Sequence, residues 1–320
     1  MSIKGPQRNA IRGIYELARL HTREAWLCWY PAVWGACIAA GTEGIELDMV
    51  EFGRVLFGIW ATITITHCAF CTFNDVCDSE LDKHVERCKT RPIPAGMITR
   101  AEAMAVFLAW IPTTLIATYA LLGQNALVSF TPIWIMSLIY PFMKRLVPFP
   151  QVVLGAIIGG AVFPGWVAIT GTLDGLSAAL PLFAATGTWV VYFDVFYATQ
   201  DSPDDQAIGV KSLAVLMGKH VRILLGGLGA MQIALFGITA ANAQLSPIFW
   251  VFGVGVWTLS VPRHIVSFDL NDRRSGGRIF KANIKLGLYL TGVSLVELLY
   301  MRVQLDSVAF QKYLPLSANV

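Results

Sequence analysis

Carboxylates gather at two places in a chain that is otherwise strongly apolar. One cluster reads Asn74-Asp75-Val76-Cys77-Asp78-Ser79-Glu80-Leu81-Asp82; the other runs from Asp194 through Asp201 and Asp204 to Asp205. Each follows a long hydrophobic segment, and a charged side chain beside lipid needs a cation or a partner. In helical register Asp75, Asp78 and Asp82 stand at i, i+3 and i+7, which is one face. Asp194 and Asp201 are likewise two turns apart. Two aspartate faces at helix ends suit hard cations that bridge to a polyanion such as a diphosphate.

The flanking residues fit the same chemistry. Beyond Asp82 the chain turns basic, with Lys83, Arg87, Lys89 and Arg91 before Pro92-Ile93-Pro94-Ala95-Gly96. The two prolines forbid a continuing helix and push Arg91 and Ile93 toward extended backbone. Arg91 is the better phosphate clamp, because its planar fork binds phosphate oxygens in pairs. For Lys83, Arg87 and Lys89 a simple membrane-side anchor explains the charge equally well. The second cluster meets Ser202-Pro203, so its helix is expected to stop near Asp201, leaving Asp201 and Asp205 at the rim of a pocket with Lys211 close by. Tyr197 and Gln200 can order those carboxylates by hydrogen bonding. Asp204 reads as a solvated loop charge. Asp194 lies deepest and reads either as a ligand or as a buried, hydrogen-bonded carboxylate.

The elements that must hold these groups are membrane helices. The 320 residues are 55% hydrophobic and only 14% charged, with mean hydropathy +0.59; a soluble protein would carry about 25% charged residues. Nine segments reach the roughly 20 apolar residues a bilayer crossing needs: 26–41, 54–73, 102–122, 125–143, 152–171, 176–197, 223–242, 246–262 and 284–303. With the N-terminus in the cytosol and sides alternating, 21 of the 24 basic residues, Lys4 among them, fall on the cytosolic side; only Arg54, Arg302 and Lys312 do not. The opposite loop after the first span carries Glu43, Glu46, Asp48 and Glu51. This one-sidedness follows the positive-inside rule. The fold expected is all-α and polytopic, with a lead at 1–25, one intramembrane domain at 26–303 and a tail at 304–320. The two acidic units, 54–122 and 176–242, form a weak internal echo. All six cysteines lie in the first two spans or the cytosolic loop after them, so no disulfide framework is expected. Cys68-x-x-Cys71 lacks a second Cys/His pair and reads as ordinary buried thiols. Residues 1–25 show neither a cleavable apolar core nor an extended Arg/Ser-rich presequence, which favours the endoplasmic reticulum or a related membrane over mitochondria.

The segment Asn74-Asp75-x-x-Asp78-x-x-x-Asp82, the later Asp194-x-x-Tyr197-Ala198-x-Gln200-Asp201-x-x-x-Asp205, and Arg91-Pro92-Ile93-Pro94-x-Gly96 together resemble signatures of the UbiA superfamily of intramembrane prenyltransferases. Tyr140-Pro141-Phe142-Met143-Lys144-Arg145, Pro150-Gln151 and Leu154-Gly155 are similar to the branch of 4-hydroxybenzoate polyprenyltransferase, and Leu17-Ala18-Arg19-Leu20 resembles its first-helix entry. His21-Thr22-Arg23 stands where that branch has Asp-Lys-Pro, and the chain looks more like fungal meroterpenoid members that act on aromatic acids or pyrones. The resemblance, over residues 15–290, implies two Mg²⁺ ions held by Asp75, Asp78 and Asp82 and by Asp194, Asp201 and Asp205. It implies a prenyl diphosphate, farnesyl by the fungal likeness, contacted by Asn74, Arg91, Lys144 and Lys211, with Arg19 also at the substrate. Arg145 becomes the candidate for the acceptor's carboxylate or phenolate. Phe70, Phe73, Tyr140, Tyr192 and Phe196 are candidates to shield an allylic cation. His67 reads as a core histidine.

Three alternatives remain. A terpene cyclase of the same superfamily needs the same aspartates and no acceptor. Ubiquinone-type prenylation of 4-hydroxybenzoate is a second. A membrane carrier would place ionisable groups at mid-helix, whereas these sit at helix ends. No nucleic acid is implied.

Overall fold

The computed structural model describes residues 8–313 apart from 44, 46 and 47, with side chains described as far as 304; Lys4 and Glu46, and the side chain of Lys312, lie outside them. Among the described residues every regular element is helical: α1 (Ala10–Leu17), α2 (Glu24–Thr42), α3 (Met49–Asp82), α4 (Arg100–Leu146), α5 (Pro150–Gly159), α6 (Val162–Thr170), α7 (Leu180–Ala198), α8 (Ser202–Ile208), α9 (Leu213–Met217), α10 (Val221–Asn242), α11 (Val256–Ser267) and α12 (Arg273–Tyr313). Among the described residues six helical stretches are long and apolar enough to cross a bilayer: 49–82, 100–146, 150–170, 176–198, 213–242 and 273–304. The chain is an integral membrane protein.

The elements depart from the nine simple spans in instructive ways. α3 contains no proline, so it runs unbroken for 34 residues and delivers the whole first acidic face on one rod. α4 opens on a capping box between Thr99 and Glu102 and is continuous with the next span except at Gly123, whose φ of 83° only glycine adopts cheaply. The 150–170 stretch breaks into α5 and α6 around Gly160-Ala161. A π-helical stretch at Phe249–Gly255 feeds into α11. α12 starts at Arg273, well before the expected span, and its backbone carries on into the expected tail as far as Tyr313.

Close packing relies on missing side chains. A Cβ at Gly165 of α6 would sit 1.9 Å from the Ala32 carbonyl oxygen of α2, and one at Gly35 of α2 would sit 2.3 Å from the Val162 oxygen. Small residues let membrane helices approach backbone to backbone. The centre is aromatic: Trp34 lies 5.3 Å from Trp189 and 6.2 Å from Trp257, with Phe236 4.7 Å from Trp257. Each of these indoles donates to a partner on another helix. Trp34 reaches Thr291 Oγ1 (2.9 Å), Trp189 reaches Asn283 Oδ1 (2.8 Å) and Trp257 reaches Gln232 Oε1 (3.1 Å). A buried N–H left without a partner would cost about 1–3 kcal/mol, so these bonds fix the register of α2, α7, α10, α11 and α12.

Candidate active site

The C-terminal ends of α3 and α7 both line a cavity of about 330 Å³, near the lower end of the roughly 300–1,000 Å³ of small-molecule sites. Its inner wall is apolar, with Leu27, Ile63, Phe130, Ile133, Ile157 and Phe193. Its mouth is acidic. Asp75, Asp78 and Asp82 all line it and are buried, as their shared helical face requires, and Asp194, Asp201 and Asp205 line it from the other side.

Each carboxylate of the first face meets a base brought from a different element. Arg19 donates to Asp75 at 2.9 and 3.2 Å, and does so from a left-handed backbone (φ 56°) that a non-glycine residue adopts at a cost. Arg91 donates to Asp75 Oδ1 (3.2 Å) and Asp82 Oδ2 (2.8 Å). Lys144 donates to Asp78 Oδ2 (2.7 Å). Burial alone would lower the Arg91 pKa, but Asp75 and Asp82 outweigh it and hold the guanidinium charged. Arg91 is not extended as expected: its carbonyl accepts from Ala95 N and its own N–H donates to Cys88, so 88–97 is a chain of tight turns.

The second face is tied to the same connection. α7 stops at Ala198, three residues before the expected end, and Asp201 stands between it and α8. Arg87 grips Asp201 with two bonds, 3.1 and 2.6 Å, donates to the Tyr197 hydroxyl at 2.7 Å and lies over its ring. Burial pushes the Asp205 carboxyl up to about 7, reinforced by Asp201. Asp204 is not a solvated charge: it accepts from Arg273 (2.8 Å) and from the Glu86 N–H (3.1 Å), and the Arg273 bond holds its pKa down. Asp194 lines the cavity near Gln151, whose Oε1 accepts from Leu213 N–H.

Not every expected group faces the cavity. Arg145 donates to the Cys77 carbonyl (2.8 Å) away from it, and Gln200 turns back to the Tyr197 carbonyl. Lys211 lines the mouth but donates to the Leu146 carbonyl (3.2 Å). Phe70 and Tyr140 line the wall; Phe73 packs on Phe107 at 4.7 Å, and Tyr192 and Phe196 belong to the packed core. Arg87 is the residue whose role the sequence leaves undecided, although it carries a signal. Lys83 and Lys89 have Glu80 and Glu86 three residues earlier, and pair with them. Arg87 has no acid one turn away and needs a distant partner.

Among the described residues no three His, Cys, Asp or Glu side chains converge into a ready-made metal cluster. The donor set still fits hard cations. Asp78 Oδ1 and Asn74 Oδ1 are buried acceptor oxygens with no hydrogen-bond partner, and both residues line the mouth. Oxygen acceptors of this kind are what Mg²⁺ takes, and buried oxygens left unpaired are rare.

An apolar cavity among membrane-spanning helices, lined at one end by two sets of aspartates and by arginine-bearing turns, fits a membrane-embedded enzyme. The model of the UbiA prenyltransferase family matches residues 28–288, and the chain belongs to that family and is a prenyltransferase. It is 67% identical to the polyprenyl transferase macG of Penicillium terrestre, over 96% of each chain. To the mitochondrial 4-hydroxybenzoate polyprenyltransferase of Schizosaccharomyces pombe it is 31% identical, over 84% of this chain and 75% of the relative. The fold matches a UbiA homolog from Archaeoglobus fulgidus solved with GPP and Mg²⁺, with TM-score 0.63 and 17% identity over 88% of this chain and 99% of that one.

Proposed function

We propose that the chain catalyses Mg²⁺-dependent transfer of a prenyl group, farnesyl foremost, from a prenyl diphosphate to a ring carbon of an aromatic acid or pyrone in meroterpenoid biosynthesis. The observation that carries this is the pair of unpartnered buried oxygens on Asn74 and Asp78 at the polar end of an apolar cavity. Asp75, Asp78 and Asp82 would hold metal on one side, and Asp194, Asp201 and Asp205 on the other. Bound there, Mg²⁺ supplies charge neutralisation that makes diphosphate a good leaving group. The chain's own cations do the rest. Arg19, Arg91 and Lys144 neutralise the aspartates, and each can exchange a carboxylate for a phosphate oxygen as charge arrives. The apolar wall receives the prenyl tail and keeps water from the allylic centre. The difference between 67% identity to macG and 31% to the 4-hydroxybenzoate enzyme favours the fungal secondary-metabolite reading.

In membrane terms we propose nine spans. They are α2, α3, the two arms of α4, α5 with α6, α7, α10, residues 249–267, and α12, as one unit over 26–303. The mouth faces the cytosol, in the endoplasmic reticulum or a related membrane. The test is a microsomal assay crossing geranyl, farnesyl and geranylgeranyl diphosphates with several aromatic acids and pyrones, read by mass spectrometry. A prenylated acceptor formed only with Mg²⁺ is expected. A cyclic hydrocarbon from farnesyl diphosphate without acceptor would instead make the chain a cyclase.

A further inference from the structure

The cavity wall carries a second polar group that the diphosphate end does not use. Cys71 and His67 stand one and two turns below Asp75 on α3, facing the cavity, and Glu24 and Cys28 of α2 line the same cavity. At about 1.5 Å of rise per residue, His67 lies roughly 12 Å below Asp75 and Cys71 about 6 Å. The allylic carbon of a prenyl diphosphate held at the mouth, and the acceptor ring that must meet it, belong in that interval. The His67 ring is poorly served. Its polar contact is the Cys71 thiol, with Sγ 3.5 Å from Nε2 and 3.8 Å from Nδ1, and a thiol is a weak partner. Ile63, Thr66 and Phe70 are its cavity neighbours on the same helix. A core histidine has its ring nitrogens satisfied; an ionisable residue in a membrane helix that faces a cavity instead marks a functional position.

We propose that His67 takes the hydroxyl proton of the acceptor, with Cys71 as the residue that orients its ring; this rests on the prenyl-transfer reading above. The step balances. As the hydroxyl proton passes to the imidazole, the O–H electron pair moves into the ring. The ring carbon then forms the new bond to the allylic carbon, whose C–O pair leaves with the diphosphate. The ring carbon's own proton then departs to the diphosphate while the imidazolium returns its proton to the oxygen, restoring the aromatic phenol.

The test uses the full chain in lipid nanodiscs, with farnesyl diphosphate and p-hydroxybenzoate, orsellinic acid, orcinol and triacetic acid lactone as acceptors. His67→Ala is expected to lower acceptor kcat/KM by about 100-fold or more, within the range of general-base catalysis, and added imidazole to restore about tenfold. His67→Gln, which keeps a polar side chain of similar reach, is expected to hold acceptor KM and lose kcat, a split that a structural role would not produce. Donor binding is read separately, as thermal stabilisation by farnesyl thiolodiphosphate with Mg²⁺, and is expected to persist in both variants. Acceptor kcat/KM within about threefold of wild type in either variant overturns the proposal. So does a loss in His67→Ala that imidazole leaves unchanged while the donor still stabilises. A wild-type protein that transfers to none of these acceptors overturns the proposed farnesyl transfer to an aromatic acid or pyrone, and this inference falls with it.

Discussion

The Arg87–Asp201 contact joins the turns after α3 to the junction of α7 and α8, two segments 114 residues apart. Replacing Arg87 with Met removes two bonds to Asp201 and one to Tyr197. Stripping one partner from a fully buried ion pair costs about 3–5 kcal/mol. Here the Arg87 side chain is 33% exposed and that of Asp201 13%, so solvent screening brings the expected cost to about 1–3 kcal/mol. Cys88, the next residue, reports the opening. It is buried, and burial pushes its thiol up to about 11. At pH 7 only about one molecule in 10⁴ carries the reactive thiolate, so alkylation must proceed through an opened connection. Mass-spectrometric measurement of N-ethylmaleimide labelling at Cys88 should therefore show a rate increase of about 5- to 150-fold in Arg87→Met. Asp201→Asn should show an increase in the same direction, and the double variant should add little to either single. Labelling within about twofold of wild type in Arg87→Met, or fully additive effects in the double variant, would refute the coupling.

Three further outcomes follow from the packing. Gly165→Ala places a methyl against the Ala32 carbonyl and should cost about 1–3 kcal/mol or more, seen as a lower thermal midpoint in detergent. Trp189→Phe leaves the Asn283 amide oxygen without its 2.8 Å donor and should destabilise by about 1–3 kcal/mol, with part of the loss recovered on adding Asn283→Leu. Glu297 accepts from Ser246 N–H (2.6 Å) and Oγ (2.7 Å) at the start of the helical stretch that follows; Glu297→Leu should therefore raise amide exchange at residues 246–250 without altering the acidic mouth.

Local rules make α3 readable from its residues alone: a proline-free apolar run ending in aspartates at i, i+3 and i+7 can only present them together. The capping box at Thr99 and Glu102 is equally visible as a pattern. The break in the 150–170 stretch is harder to read, because Gly160 and Ala161 keep right-handed helical dihedrals and are compatible with a continuous helix. At the site, residue types indicate the acids but not their partners. Arg91 is legible because it lies nine residues from Asp82, whereas the Lys144–Asp78 and Arg87–Asp201 contacts span 66 and 114 residues, which no local pattern encodes. Arg145 and Lys144 are neighbours in sequence, yet helical geometry aims one at the Cys77 backbone and the other at Asp78. The same limit applies to His67, whose exposure to a cavity depends on where α2 runs.

The central proposal is that the two acidic faces act as one Mg²⁺-diphosphate site. The most direct measurement is Mg²⁺-dependent thermal stabilisation of the purified protein by farnesyl thiolodiphosphate, with transfer assayed in parallel, in wild type, Asp78→Ala and Asp201→Ala. The expected result is stabilisation of the wild type and its loss in both variants, with prenyl transfer abolished while each variant still inserts into the membrane. Retained Mg²⁺-dependent transfer in either variant would contradict it.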